Sequence, residues 1–297
     1  MTSLRHIGCF LALGLFWGLS PSQYRYWGET GVPISHIIAA SGLGIALFLS
    51  GLARWHDGRL AWDRGVMTYS LICATLMNVP FSLSLTFARH VPTAELALVF
   101  SLAPLISFAV GAATGRDPLT ARRLIAILIG FAASAVLILS RDGMLSGQVS
   151  WWLLASFVNP LLYAGYNWYA QSHWPRGGTT LSIGAAESLW SGLLAVPFVL
   201  ALAPPWQVSV SSALAYWVLV AATLMWVIER IAFFTLIRER GGSYTAQAVY
   251  LSVPAAVIFA VIFFGGSSDA WLWVSLAIVM LALWLNNSGP AARPQSA

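Results

Sequence analysis

Apolar stretches of about twenty residues follow one another along almost the whole chain, broken only by short turn-forming or arginine-bearing segments. A helix of that length spans the hydrocarbon layer of a bilayer. Cutting at the turn and charge signals predicts ten such helices, at 4–17 running on to 24, 33–52, 62–87, 93–113, 122–140, 151–172, 180–202, 212–237, 244–264 and 270–284. The connections left over are too short for a water-soluble domain of ordinary size. Charged residues make up 8% and hydrophobic ones 59% of the 297 residues, whereas a water-facing surface needs about a quarter of the chain charged. Soluble enzyme, disordered tail and fibrous protein are excluded. Cys9 and Cys73 each lie inside an apolar run, which excludes a disulfide scaffold and a structural zinc site. No cofactor is implied.

The basic residues set the expected orientation. All fifteen are arginines. With the N-terminus inside, the inner segments hold Arg5, Arg54, Arg59, Arg64, Arg116, Arg122, Arg123, Arg176, Arg238, Arg240 and Arg293, and the outer ones only Arg25, Arg89 and Arg141. Arg230 falls inside a span. This asymmetry places both termini in the cytoplasm. The arginines form no single basic face, so no nucleic-acid partner is expected. The first segment follows Arg5 but lacks a small-residue cleavage site, so it reads as a retained helix with an aromatic belt (Tyr24, Tyr26, Trp27) at its far end.

The chain echoes itself. The stretches 89–139 and 240–285 both run from basic residues through a polar turn to a mid-helix proline, a glycine-containing break and a last apolar helix, with Pro104 matching Pro254 and Gly115 matching Gly265. Five crossings per copy would invert the second copy. The expected architecture is therefore an all-α polytopic membrane protein with two inverted five-helix repeats, 1–142 and 143–287, and a short cytoplasmic tail, 288–297. Inverted halves with a site near the midplane are the build of secondary transporters. Pro104 and Pro254 delete one helix hydrogen bond each, which makes them candidate gating hinges or static kinks.

Several motifs resemble one family. Leu15-Phe16-Trp17-Gly18, TAELALVFSLAP at 93–104 and GRDPLTARRLIAILIGFAASAVLIL at 115–139 are similar to the drug/metabolite transporter superfamily, EamA type, over essentially the whole chain. The chain looks most like the YddG-type aromatic amino-acid exporters. That resemblance implies export of amino acids across a bacterial inner membrane. The family's acid directly after the glycine ending helix four is displaced here, Arg116 standing before Asp117.

Polar residues within apolar spans face the bundle interior or a cavity. On the sixth segment Asn159, Tyr163, Tyr166, Asn167 and Ala170 recur at helical spacing, a stripe suited to a zwitterion with a flat side chain or, alternatively, to helix-to-helix hydrogen bonding. Trp17, Thr75, Asn78, Ser82, Ser101, Ser243, Gln247 and Tyr250 are further candidates, each either lining a chamber or packing. Glu187 and Glu229 lie about eight residues from the inner ends of their spans, so Glu187 can reach Arg230 or Glu229. A structural ion pair among Glu187, Glu229 and Arg230 stands beside a second reading, in which Glu187 binds a substrate ammonium or a coupling proton. Glu95 opens the fourth segment, where a carboxylate satisfies the helix dipole. His36 and His90 read as polar end residues. Gly14 and Gly18 have the spacing of close helix packing.

No serine elbow or metal-ligand spacing is present, so no enzyme is expected. Without lysine there is no P-loop and no nucleotide hydrolysis in this chain. Transport is then gradient-driven or facilitative, with a small-molecule substrate, the bilayer as surroundings and no obligatory protein partner. Amino acids are the first substrate reading; small drugs or quaternary amines are the alternative. A nucleotide-sugar exchanger ranks last, because only Arg230 lies deep enough to hold phosphate.

Overall fold

In the computed structural model the described residues are 4–100, 102–113, 120–122, 124–126, 128–129, 132, 150–202, 210–240, 245–246, 248–265 and 270–287. They form helices and short connections, with no strand among them. The helices are α1 (Leu4–Thr30), α2 (Ile34–His56), α3 (Arg64–Phe87), α4 (Thr93–Phe100), α5 (Ala103–Ala113), α6 (Trp151–Ser156), α7 (Val158–Ser172), α8 (Thr180–Leu202), α9 (Val210–Arg240), α10 (Val249–Phe264) and α11 (Ala270–Asn287). Four of them, α2, α3, α8 and α9, are long and apolar enough to cross a membrane. Most of the helix expected at 122–140 lies outside the described residues, as do Ser101, Ser243 and Gln247.

Proline and capping chemistry explain where helices start. Segment 93–113 is parted at Leu102, and Pro104 stands in the first turn of α5, where a missing N–H leaves no bond unmade. Segment 151–172 is parted at Phe157, and Pro160 falls likewise in the first turn of α7. Asp63 caps α3 by accepting from the Val66 amide at 3.0 Å. In the ninth segment a turn at Ala248 precedes α10, which runs through Pro254 and ends at its cap, Gly265.

The outer faces are apolar. Leu47, Leu200 and Trp217 are 78%, 79% and 71% exposed, a surface that suits lipid and not water. Between helices in lipid there is no hydrophobic driving force, so association rests on close packing and polar bonds. α1 packs on α9 and α10, α2 on α8 and α9, α3 on α7 and α8, α4 on α10, and α5 on α7. The closest crossing joins α2 to α8 at Gly42 and Gly192, where a Cβ on Gly42 would lie 2.6 Å from the Gly192 amide nitrogen. α1 meets α10 in the same way: a Cβ on Gly14 or Gly18 would fall 2.6 Å from the Cβ of Leu251 or Ala255. Small residues at these points let backbones touch.

The arginines gather at two opposite ends. Arg5 pairs with Glu239 (3.4 Å) at the end where Arg59, Arg176 and Arg238 share one pocket. At the other end Arg25 bonds Glu29 at 2.7 Å and covers the Phe264 ring, while Arg89 Nη2 donates to the Val32 carbonyl at 3.2 Å. The aromatic belt expected at the far end of α1 is a correction. The helix continues to Thr30, so Tyr24 and Trp27 are buried inside the bundle. Trp27 and Phe81 each meet the Trp226 ring edge-on, and Tyr24 meets Phe81.

Candidate functional site

A cavity of about 160 Å³ lies where α1, α2, α3, α7, α8, α9 and α10 converge. That is room for on the order of ten waters or one small solute. One of its ends is walled by Tyr24, Phe81 and Trp226, the other by Trp17, Tyr166 and Phe233. Tyr166 stacks on Phe233, with ring centroids 5.5 Å apart and planes 15° from parallel, and Trp17 leans on the same Phe233 ring at 6.4 Å. Pro21, in the wall, has no N–H to give the Trp17 carbonyl one turn back.

Between these aromatic groups sits a charged network. Arg230 Nη1 donates to Glu187 Oε2 at 3.0 Å, and the Tyr166 hydroxyl donates to Glu187 Oε1 at 2.9 Å. Glu187 is 1% exposed and Arg230 13%, so each depends on the other for charge compensation. Arg230 Nε, also buried, has no partner among the described residues. Of the two contacts expected for Glu187, the structure has the one with Arg230, and Glu229 stands apart from this pair: its Oε1 accepts the Trp17 indole N–H at 2.9 Å. Neighbours on one helix point about 100° apart, so Arg230 turns to α8 while Glu229 turns to α1. Among the described residues no cation lies within ion-pair distance of Glu229.

Polar residues of the wall (Asn78, Ser191, Tyr163) and, behind it, Asn159 and Ser84 are tied together across helices. Asn78 Nδ2 donates to the Ser191 carbonyl at 3.1 Å, and the Ser191 hydroxyl donates back to Asn78 Oδ1. Asn159 Nδ2 donates to Ser84 Oγ at 2.6 Å, and Ser84 contacts the Tyr163 hydroxyl at 3.3 Å. The hydroxyl of Ser188 and the amide oxygen of Gln23 are buried with no partner among the described residues, and Ser188 lines the cavity.

Of the residues singled out from the sequence, Trp17, Asn78, Tyr163, Tyr166, Asn167, Glu229 and Arg230 line this cavity, and Glu187 stands directly behind it on Tyr166 and Arg230. Ser82 does not line it. The face that α3 turns inward carries Met77, Asn78 and Phe81, and Ser82 lies one step of about 100° beyond Phe81. Thr75 is exposed and bonds the Leu71 carbonyl on its own helix. Ser101 and Gln247 lie outside the described residues, as do the side chains of Tyr250, Pro104 and Pro254. Glu95 is buried in the first turn of α4, and His90 stacks on Trp152 with centroids 4.0 Å apart. Sequence reasoning missed Ser41 and Ile45 of α2, Trp226 and Phe233 of α9, and Val249, Ser252 and Ala256 of α10. Ser41 and Ser252, each a serine on an apolar helix, were the visible signals.

No family model and no curated protein matches the chain. A solved crystal structure, described only as that of a protein, is similar to it in fold, with a TM-score of 0.62, 16% sequence identity and coverage of 97% of both chains.

Proposed function

We propose that the chain is a secondary transporter of the drug/metabolite transporter superfamily, EamA type, which exports amino acids, aromatic ones included, from the bacterial cytoplasm by alternating access. The observation that carries the reading is the charge inventory of the central cavity. Arg230 is matched by Glu187, and Glu229 adds a carboxylate that no cation matches. A zwitterionic guest leaves that total unchanged but matches the charges locally: its ammonium group faces Glu229, and its carboxylate faces Arg230, whose Nε has no partner among the described residues. The rings of Trp17, Tyr166, Phe233, Phe81 and Trp226 suit a flat side chain. A purely anionic guest such as a nucleotide sugar meets a surplus of negative charge.

The inverted-repeat reading has independent support in the helix contacts. Counting α4 with α5, and α6 with α7, as single spans, exchanging each span with the one five places on maps α1·α10 onto α7·α5, α1·α9 onto α7·α3, and α2·α9 onto α8·α3. It maps α2·α8 and α4·α10 onto themselves. All of these pairs are in contact. Residues 17 and 167, 41 and 191, 42 and 192, and 104 and 254 are each 150 apart in the chain. Trp17, Asn167, Ser41 and Ser191 line the cavity, and Gly42 crosses Gly192 beside it. The excess of arginines at the end that holds Arg5, Arg59, Arg176 and Arg238, against Arg25 and Arg89 at the other, supports cytoplasmic termini.

A quaternary or aromatic amine is the second reading, favoured by the same unmatched Glu229 among aromatic rings. Counterflow in liposomes separates the two. Vesicles containing the purified protein are preloaded with tryptophan, phenylalanine, threonine, a quaternary amine or a nucleotide sugar, and uptake of a labelled trace of the same compound is followed. Accumulation with amino acids is expected. Accumulation with the amine alone replaces the substrate, and accumulation with none removes the transport reading.

A further inference from the structure

A second pocket, of about 460 Å³, opens at the Arg5 end of the bundle, well away from the central cavity. Arg59 reaches it from the α2–α3 loop, Arg176 from the α7–α8 turn and Arg238 from the last turn of α9. All three are exposed, and no acidic side chain lines the pocket. Arg238 is partly engaged already. It lies over the Trp174 ring, 5.7 Å from the centroid. Nearby, burial pushes the Asp57 carboxyl up, while its hydrogen bonds with Thr179 and His56, the His56 charge and, least of all, Arg238 together hold it below its ordinary value. Arg59 and Arg176 form no ion pair or hydrogen bond among the described residues. Three cations face one pocket whose described lining carries no carboxylate, which makes it a favourable place for an anion.

The turn beneath them is built, not loose. Gly177 holds a left-handed φ of 76°, and the Gly178 amide donates to the Pro175 carbonyl at 3.2 Å. The Trp174 indole donates to the Gly178 carbonyl at 3.3 Å, and a Cβ on Gly178 would strike Ile183 Cδ1 at 2.8 Å. The pocket sits where α8 begins and α9 ends, two of the membrane-length helices. That is the level of lipid headgroups, where phosphate is concentrated in two dimensions.

We propose that this pocket binds the phosphodiester of an anionic phospholipid, whose non-bridging oxygens pair with Arg59 and Arg176 while its acyl chains follow the apolar outer faces of the helices. Because Arg59 precedes the midpoint of the chain and Arg176 and Arg238 follow it, the bound lipid ties the two halves together at one face. The site rests on the membrane-length helices and not on the transport reading.

Delipidated protein in detergent is melted with added phosphatidylglycerol, with phosphatidylcholine, and with inorganic phosphate or glycerol phosphate, and native mass spectrometry counts retained lipid. Phosphatidylglycerol is expected to raise the melting temperature by several degrees and to be retained one per chain, with phosphatidylcholine and the soluble phosphates doing neither. The R59Q/R176Q variant should lose that rise while melting like the parent in phosphatidylcholine. R59K/R176K should keep part of the rise, since charge survives where bidentate geometry does not. A rise that persists in R59Q/R176Q, an equal rise with the soluble phosphates, or no rise in the parent protein overturns the proposal.

Discussion

Glu229 and Arg230 are adjacent in sequence and opposite in consequence. Arg230 is held by Glu187 and Tyr166, so removing it leaves a buried carboxylate without its cation. R230Q is expected to cost about 3–5 kcal/mol of stability, read as a lowered melting temperature, whereas an E187L/R230M double variant that removes both charges should recover most of it. Equal losses in both variants would mean that the pair does not hold α8 to α9. Glu229, by contrast, accepts one hydrogen bond from Trp17, which a glutamine oxygen can also accept. E229Q should therefore fold normally and bind an amino acid at least about tenfold more weakly by calorimetry, a loss of roughly 1.4 kcal/mol. Unchanged affinity would remove Glu229 from the site. These charged residues were legible because an ionisable group inside an apolar run stands out. Trp226, Phe233 and Ile45 were not, since an apolar side chain gives no sign of whether it faces a cavity, lipid or another helix. Ser82 was misplaced by a single position, which on a helix is about 100°.

At the scale of elements, the crossing of α2 and α8 rests on two glycines whose backbones touch. A methyl group on Gly42 has no flexible neighbour to displace, only the Gly192 backbone and the Ser188 carbonyl at 2.9 Å. G42A should destabilise by about 1–3 kcal/mol through overpacking. Gly165 of α7 has nothing within 4 Å of an added Cβ, so G165A should be neutral or stabilise by up to about 1 kcal/mol from helix propensity. Melting curves of the two variants in one detergent test the contrast, and a tolerated G42A would show that the helices can separate at that point without loss. Helix positions were largely readable from apolar length and turn residues. Helix interruptions were less so: Pro104 and Pro160 sit just inside new helices, while α10 runs through Pro254. A proline bends, starts or merely interrupts a helix according to where its freed carbonyl finds a partner, and the partner comes from another part of the fold.

For the molecule as a whole, the proposed inverted repeat and the excess of arginines at one end carry one joint requirement: the two ends must face opposite compartments. In a C9A/C73A background, single cysteines at Glu29 and Arg54, both exposed and at opposite ends, distinguish the possibilities. A membrane-impermeant maleimide applied to intact cells should label E29C at once and R54C only after permeabilisation. Both positions reacting from outside would mean that α2 does not cross. The reverse order would put the arginine-rich pocket outside and turn the bundle over, with the termini on the outer face. The sequence supplied this orientation through arginine placement alone, yet it could not show that residues 150 apart meet around one cavity. That meeting depends on α2 crossing α8 at Gly42 and Gly192, a contact between two residues that carry no side chain to betray it.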